Sequence, residues 1–184
     1  CSRAIQFIAG LASVGLGALS SHAAESYDVV IYGGTSAGVA AAVQTARMGR
    51  TAVIVHPGRH LGGLTSGGLG ATDIGNKAAI GGIAREFYRR LGAHYGKEEA
   101  WTFEPHVAEN TYKAMIEEAH IRIIYDERLD LHGGGQMDAG RLAASGMESD
   151  PRIERRGYIA PTYGGDHMAK AGVAEHHGRE SNAA

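Results

Sequence analysis

Glycine carries the chemistry of this chain. Two clusters stand close together: Gly33-Gly34-Thr35-Ser36-Ala37-Gly38, and Leu61-Gly62-Gly63-Leu64-Thr65-Ser66-Gly67-Gly68-Leu69-Gly70. Backbone stripped of side chains can bring its N–H groups up to an anion, and successive N–H groups in a turn form a concave anion site. Phosphate recognition is the chemistry these clusters suit. In the first, Gly33 permits a tight turn and Gly38 permits close packing of helix on strand. Thr35 stands at the middle position of G-x-G-x-x-G, where glycine normally lets backbone approach a pyrophosphate. The second cluster, with five glycines in ten residues, can form neither a stable helix nor a stable strand. It can lay backbone along a flat or extended ligand. A plain strand-to-helix turn and a flexible loop are the ligand-free readings of the same residues.

Other chemistry is thin. His56 ends an apolar run at the place where an acid usually bonds the two ribose hydroxyls of a dinucleotide. A neutral imidazole can meet one of them, and His56 can also be read as a surface loop residue. Arg59 and His60 would tolerate a 2′-phosphate, which keeps NADP open. The ten histidines include no pair at H-x-x-x-H spacing with an acid, and His176-His177 are adjacent, so no metal site is expected. His106 is placed like a base, but packing at a helix start accounts for it more simply. No catalytic residue can be named.

The elements that must position these groups follow from periodicity. Asp28–Tyr32 is a short β-branched run and reads as a buried strand. The alanine-rich stretch Val39–Met48 reads as a helix stopped by Gly49, and Thr51–Val55 as a second strand. Strand, glycine turn, helix and strand within about 30 residues make the dinucleotide-binding βαβ unit. Ile80–Tyr95 is predicted as an amphipathic helix through Ile80, Ile83, Phe87 and Leu91, with its arginines on a solvated face. A further helix is predicted over Val107–Ala119, with Val107, Thr111, Met115, Ile116 and Ala119 as its apolar set and Pro105 in its first turn. Ile121–Tyr125 is a third strand. From His132 to Gly157 the pattern fails, and an irregular or antiparallel excursion is expected.

Composition excludes several classes. A chain of 184 residues with 43% hydrophobic and 21% charged residues is long enough for a core. Its 28 glycines are about twice the usual share, without the three-residue period of collagen. One cysteine excludes a disulfide framework and a self-contained iron–sulfur cluster. A net charge of −2 and few aromatics speak against nucleic acid. The start, with Arg3, an apolar run Ile5–Leu19 and small residues up to Ala24, reads as a secretory signal peptide. The run is too short and glycine-rich for a membrane span, so no stable anchor is expected after cleavage. The chain starts at Cys1, and Glu175–Ala184 closes no element. Both ends read as cut.

On Asp28–Gly38, His60–Gly70 and Asp73-Ile74-Gly75-Asn76-Lys77-Ala78-Ala79-Ile80-Gly81-Gly82 the sequence resembles bacterial, exported FAD-dependent oxidoreductases of the glutathione-reductase-like superfamily. That group carries G-G-T-x-A-G, then E-P-x-R-x-L-G-G-L-T-S-G-G-L, then G-N-K, so Thr35 at the middle position is usual there. Glu104–Glu109, Met168–Val173 and Gly178–Ala183 also look like family sequence. Tyr158–Asp166 resembles the family's returning strand, F-I-D-A-T-Y-E-G-D, with Ala160, Pro161 and Gly164 departing from it. Pro161 removes a donor from what would be a central strand.

The resemblance implies an α/β fold, a Rossmann-like three-layer FAD/NAD(P)-binding domain with a central parallel sheet, here truncated. It implies FAD as cofactor. Gly33, Gly34, Thr35, Ser36, Ala37 and Gly38 would sit at the pyrophosphate, and His56 at the ribose position. Arg59, Gly62, Gly63, Thr65, Ser66, Gly67 and Gly68 would run along the pyrophosphate towards the flavin ring. The organisation expected is a signal peptide over 1–24, an FAD-binding βαβ region over 25–131, the excursion over 132–157, and a returning strand over 158–184 that leads into a missing substrate domain. The activity implied is oxidation of a small organic, carbohydrate-derived substrate by a bacterial protein exported to the periplasm or beyond. The alternatives are a truncated nucleotide-binding module without turnover, an NADP-binding reductase domain, and a relative of the branch labelled polysaccharide lyase. The oligomeric state has no signature in the sequence.

Overall fold

The computed structural model describes residues 25–73, 75–128, 141–142 and 153–163. The leader-like stretch 1–24, most of 132–157, and the family-like stretches from 164 onward lie outside the described residues.

Strand β1 (Glu25–Tyr32) runs into the first glycine cluster, and helix α1 (Ser36–Arg47) returns to strand β2 (Ala52–His56). The helix starts three residues earlier than its alanine-rich pattern predicts. Thr35 is the reason: its backbone is extended and its Oγ1 accepts from the Gly38 N–H at 3.2 Å. A capping hydroxyl of this kind stabilises a helix start by about 1 kcal/mol. At the other end Gly49 adopts φ +71° and its N–H reaches the Ala46 carbonyl at 2.9 Å, the glycine stop expected there.

Helices α2 (Gly82–His94) and α3 (Pro105–Glu118) follow, then strand β3 (Arg122–Tyr125). Two further strands, β4 (Arg141–Leu142) and β5 (Ile153–Ile159), complete a sheet of order β3-β2-β1-β5-β4. The first four of these neighbours are parallel, and β4 joins β5 antiparallel. This is the Rossmann-like α/β fold with a central parallel sheet.

Both faces of the sheet are buried at β1 and β2. Ile31 and Ile54 meet Val39, Val43, Phe87, Leu91, Ala108, Met115 and Ile116 from the three helices. Val30, Tyr32, Val53 and Val55 form a second cluster on the other face. Strands covered on both sides read as continuous apolar runs rather than alternating ones, as β1 and β2 do. Each fully buried Ile, Leu or Val contributes roughly 1.5–3 kcal/mol. The burial therefore fixes the level at which the sheet's C-terminal ends emerge.

The returning strand departs from its predicted position. β5 begins at Ile153 and ends at Ile159, so Pro161 lies beyond the ladder and deprives no partner of a donor. Its carbonyl instead accepts from Thr35 Oγ1 at 2.8 Å.

Candidate functional site

The C-terminal ends of β1, β2 and β5 bring the two glycine clusters together. The Gly62 N–H donates to the Gly34 carbonyl at 2.7 Å, and Thr35 and Gly62 form an isolated parallel bridge. The strand-end turn and the second glycine run are thus joined backbone to backbone. Ligands of open α/β sheets bind in this place, outside the carboxyl ends of the strands.

Three features make a cradle that side chains would fill. Gly33 adopts φ +118°, and a Cβ there would lie 2.8 Å from Thr162 Cγ2. Gly62 adopts φ +104°, with the Tyr112 ring 2.6 Å from the place of a Cβ. Gly38 has no room at all: a Cβ would be driven into the Gly33 carbonyl oxygen. Thr35 occupies the middle position without obstructing it, because it is buried and its hydroxyl is turned inward to Gly38 and Pro161. With Gly38 N–H taken by Thr35, the N–H groups of Ser36 and Ala37 are the ones an anion would meet at the helix mouth.

Side chains that the sequence reading passed over tie the cradle together. Tyr112, on α3, is buried, stacks on Phe87 at 4.3 Å between centroids, and brings its phenol close to the side chains of Ser36 in the first turn and Thr65 in the second. Burial, with Tyr88 nearby, pushes its phenol up to about 12. It falls on the inward stripe with Ala108, Met115 and Ile116, so helical periodicity was the signal that could have found it. Thr162 has a buried hydroxyl with no hydrogen-bond partner among the described residues, and it stands beside Gly33. Tyr163 is largely exposed, and its hydroxyl accepts from the Leu64 N–H at 3.0 Å.

The other predicted site residues are spread around this centre. Ser66 turns its hydroxyl back to the Leu61 carbonyl, and Thr65 closes a single 3-10 turn over Gly63–Thr65. Gly67 and Gly68 lie on the exposed tip. Arg59 pairs with Asp126 at 2.7 Å and His60 with Glu109 at 3.1 Å. His56 spends both ring nitrogens on backbone: Nδ1 accepts from Gly34 N–H at 3.0 Å, and Nε2 meets the His60 carbonyl at 2.9 Å. That pairing makes Nε2 the protonated nitrogen and makes His56 a clamp between the two clusters. Replacing it by phenylalanine is expected to lower stability by about 2 kcal/mol, one for each lost bond. The urea midpoint of unfolding checks this, and an unchanged midpoint would remove the clamp from the account.

Residues 28–184 match the family model described as FAD dependent oxidoreductase. The chain belongs to the FAD dependent oxidoreductase family. Among solved structures it is similar to Thermovibrio ammonificans THI4, with 19% identity and a TM-score of 0.56, over 81% of this chain and 64% of that one. It is also similar to L-proline dehydrogenase from P. horikoshii, with 12% identity and a TM-score of 0.59, over 84% and 58% of the two chains. At such identities the likeness is one of fold. This chain spans less than two thirds of either neighbour. No curated protein matches it.

FAD is the cofactor of this family, and the residues of the cradle fit it. The paired glycine turns leave room for backbone to approach a pyrophosphate, the α1 N-terminus supplies N–H groups, and Thr162 has a hydroxyl to offer. Among the described residues no helix is long and apolar enough to cross a membrane.

Proposed function

We propose that this chain is the FAD-binding part of an oxidoreductase that acts on a small organic, carbohydrate-derived substrate. The observation that carries the reading is the joining of the two glycine clusters, Gly62 N–H to Gly34 carbonyl, at the carboxyl edge of a parallel sheet. When bound, FAD supplies the capacity to accept a hydride or electrons. The protein's own part is positional. Ser36 and Ala37 would orient the pyrophosphate at the helix mouth, with Gly33, Gly34, Thr35 and Gly38 shaping the turn that allows the approach. Gly62, Gly63, Thr65, Ser66, Gly67 and Gly68 would extend the binding surface towards the flavin ring. Tyr112 keeps the two turns at a fixed separation. The leader-like stretch supports export from a bacterium to the periplasm or beyond, and the resemblance to longer relatives supports a substrate domain beyond this chain.

An NADP-binding reductase is less well supported, because Arg59 and His60 are each already engaged by an acid. Titrating FAD into the purified chain, followed by quenching of flavin fluorescence, is expected to give saturable one-to-one binding that excess NADPH does not reverse. Saturable binding of NADPH with none of FAD would replace the reading by its rival.

A further inference from the structure

The acid expected at the end of β2 is absent from that position, where His56 stands with both nitrogens engaged. A different carboxylate lies alongside. The Glu127 N–H donates to the His56 carbonyl at 3.2 Å, so Glu127 follows β3 onto the same carboxyl edge of the sheet, one strand over. Its side chain is only 4% exposed, and Oε2 meets no hydrogen-bond donor among the described residues. An ionised carboxylate taken out of water is unfavourable unless donors replace the water. Arg59 is engaged by the neighbouring Asp126 at 2.7 Å. His56 directs its ring N–H at the His60 carbonyl.

We propose that Glu127 is the acceptor for the adenosine ribose hydroxyls of the bound dinucleotide, taking from β3 the part usually played by an acid at the end of β2. The assignment rests on the dinucleotide reading above. A ribose diol presents two O–H donors, which a carboxylate can accept together, and a hydrogen bond to a charged acceptor is among the stronger kinds. The same carboxylate repels a 2′-phosphate, so it selects against 2′-phosphorylated dinucleotides.

The test uses the whole chain and three small probes, ADP, 2′-deoxy-ADP and 2′,5′-ADP, each measured as a competitor of FAD by flavin fluorescence. The unsubstituted protein is expected to bind ADP about tenfold or more tighter than 2′-deoxy-ADP, with 2′,5′-ADP weaker than ADP. Glu127→Gln is expected to narrow the preference for ADP over 2′-deoxy-ADP to less than about threefold. A wild-type chain indifferent to the 2′-hydroxyl would overturn the assignment without need of a variant, as would tighter binding of 2′,5′-ADP. Full retention of the preference in Glu127→Gln would overturn it as well. These failures leave FAD binding in place. A chain that binds neither ADP nor FAD would defeat the dinucleotide reading, and the assignment with it.

Discussion

Replacing Gly38 by alanine is expected to abolish measurable FAD binding and to lower the melting temperature by about 6–12 °C. The added methyl group would be forced into the Gly33 carbonyl oxygen, with Pro161 Cγ at 3.2 Å on another side. The Gly33 oxygen is backbone and cannot rotate away as a side chain would. The strand-end turn and the first turn of α1 must therefore separate. A backbone displacement in a packed site costs about 3 kcal/mol, and in a domain of this size each kcal/mol moves the midpoint by roughly 2–4 °C. The displaced atoms are those that form the turn and the mouth of α1, so binding suffers beyond the loss of stability. Gly49→Ala is the control. Gly49, unlike Gly38, has positive φ, +71°, but nothing lies within 4 Å of its missing Cβ. That change is expected to cost only about 1–2 kcal/mol and to leave FAD binding intact. Thermal melts by circular dichroism with FAD titrations decide between them; equal behaviour of the two variants would mean that the close approach at Gly38 is not what shapes the site.

The contrast between these glycines shows what the sequence can and cannot display. The βαβ unit is legible because its signals are local: a β-branched run, a glycine turn and an alanine-rich helix follow one another within a short stretch. The start of α1 was less so. Its apolar pattern begins at Val39, but the helix begins at Ser36 because the Thr35 hydroxyl reaches Gly38, and a cap leaves no periodic trace. Pro161 is the reverse case. Read as part of the returning strand, it conflicts with a central ladder position; β5 stops at Ile159, and the proline carbonyl holds Thr35. The strand extends towards the N-terminus through Glu154, Arg155 and Arg156, whose polar character hides it. His56 departs from the residue type expected at its position, which the sequence shows, but not that Glu127 arrives beside it. That meeting depends on the register of β2 with β3, set by Val53 opposite Arg122 and His56 opposite Tyr125.

Tyr112 was the least legible part of the site, and removing it is expected to have the second large effect. Tyr112→Ala is expected to lower stability by about 3–5 kcal/mol, the usual cost of emptying a buried aromatic position. It is also expected to weaken FAD binding, because the ring is the surface against which Gly62 closes. Tyr112→Phe separates the ring from its hydroxyl. At neutral pH the phenylalanine variant should lose only about 1 kcal/mol, from the polar contact of the Tyr112 hydroxyl with Ser36 and Thr65. The alkaline range should reverse the order. In the folded chain the Tyr112 phenol is pushed up to about 12, chiefly by burial, whereas an unfolded tyrosine ionises near 10. Between these values the unfolded state releases the proton first, so rising pH favours unfolding. The contribution is fully present below about pH 10 and is lost towards pH 12, a span worth roughly 3 kcal/mol. The phenylalanine variant lacks that proton and should escape this part of the loss, becoming the more stable protein by about 1–2 kcal/mol near pH 12. Urea denaturation of both proteins at pH 9 and near pH 12 measures the crossing. Parallel loss of stability in the two would place the Tyr112 hydroxyl in contact with water and remove it as the link between the glycine turns.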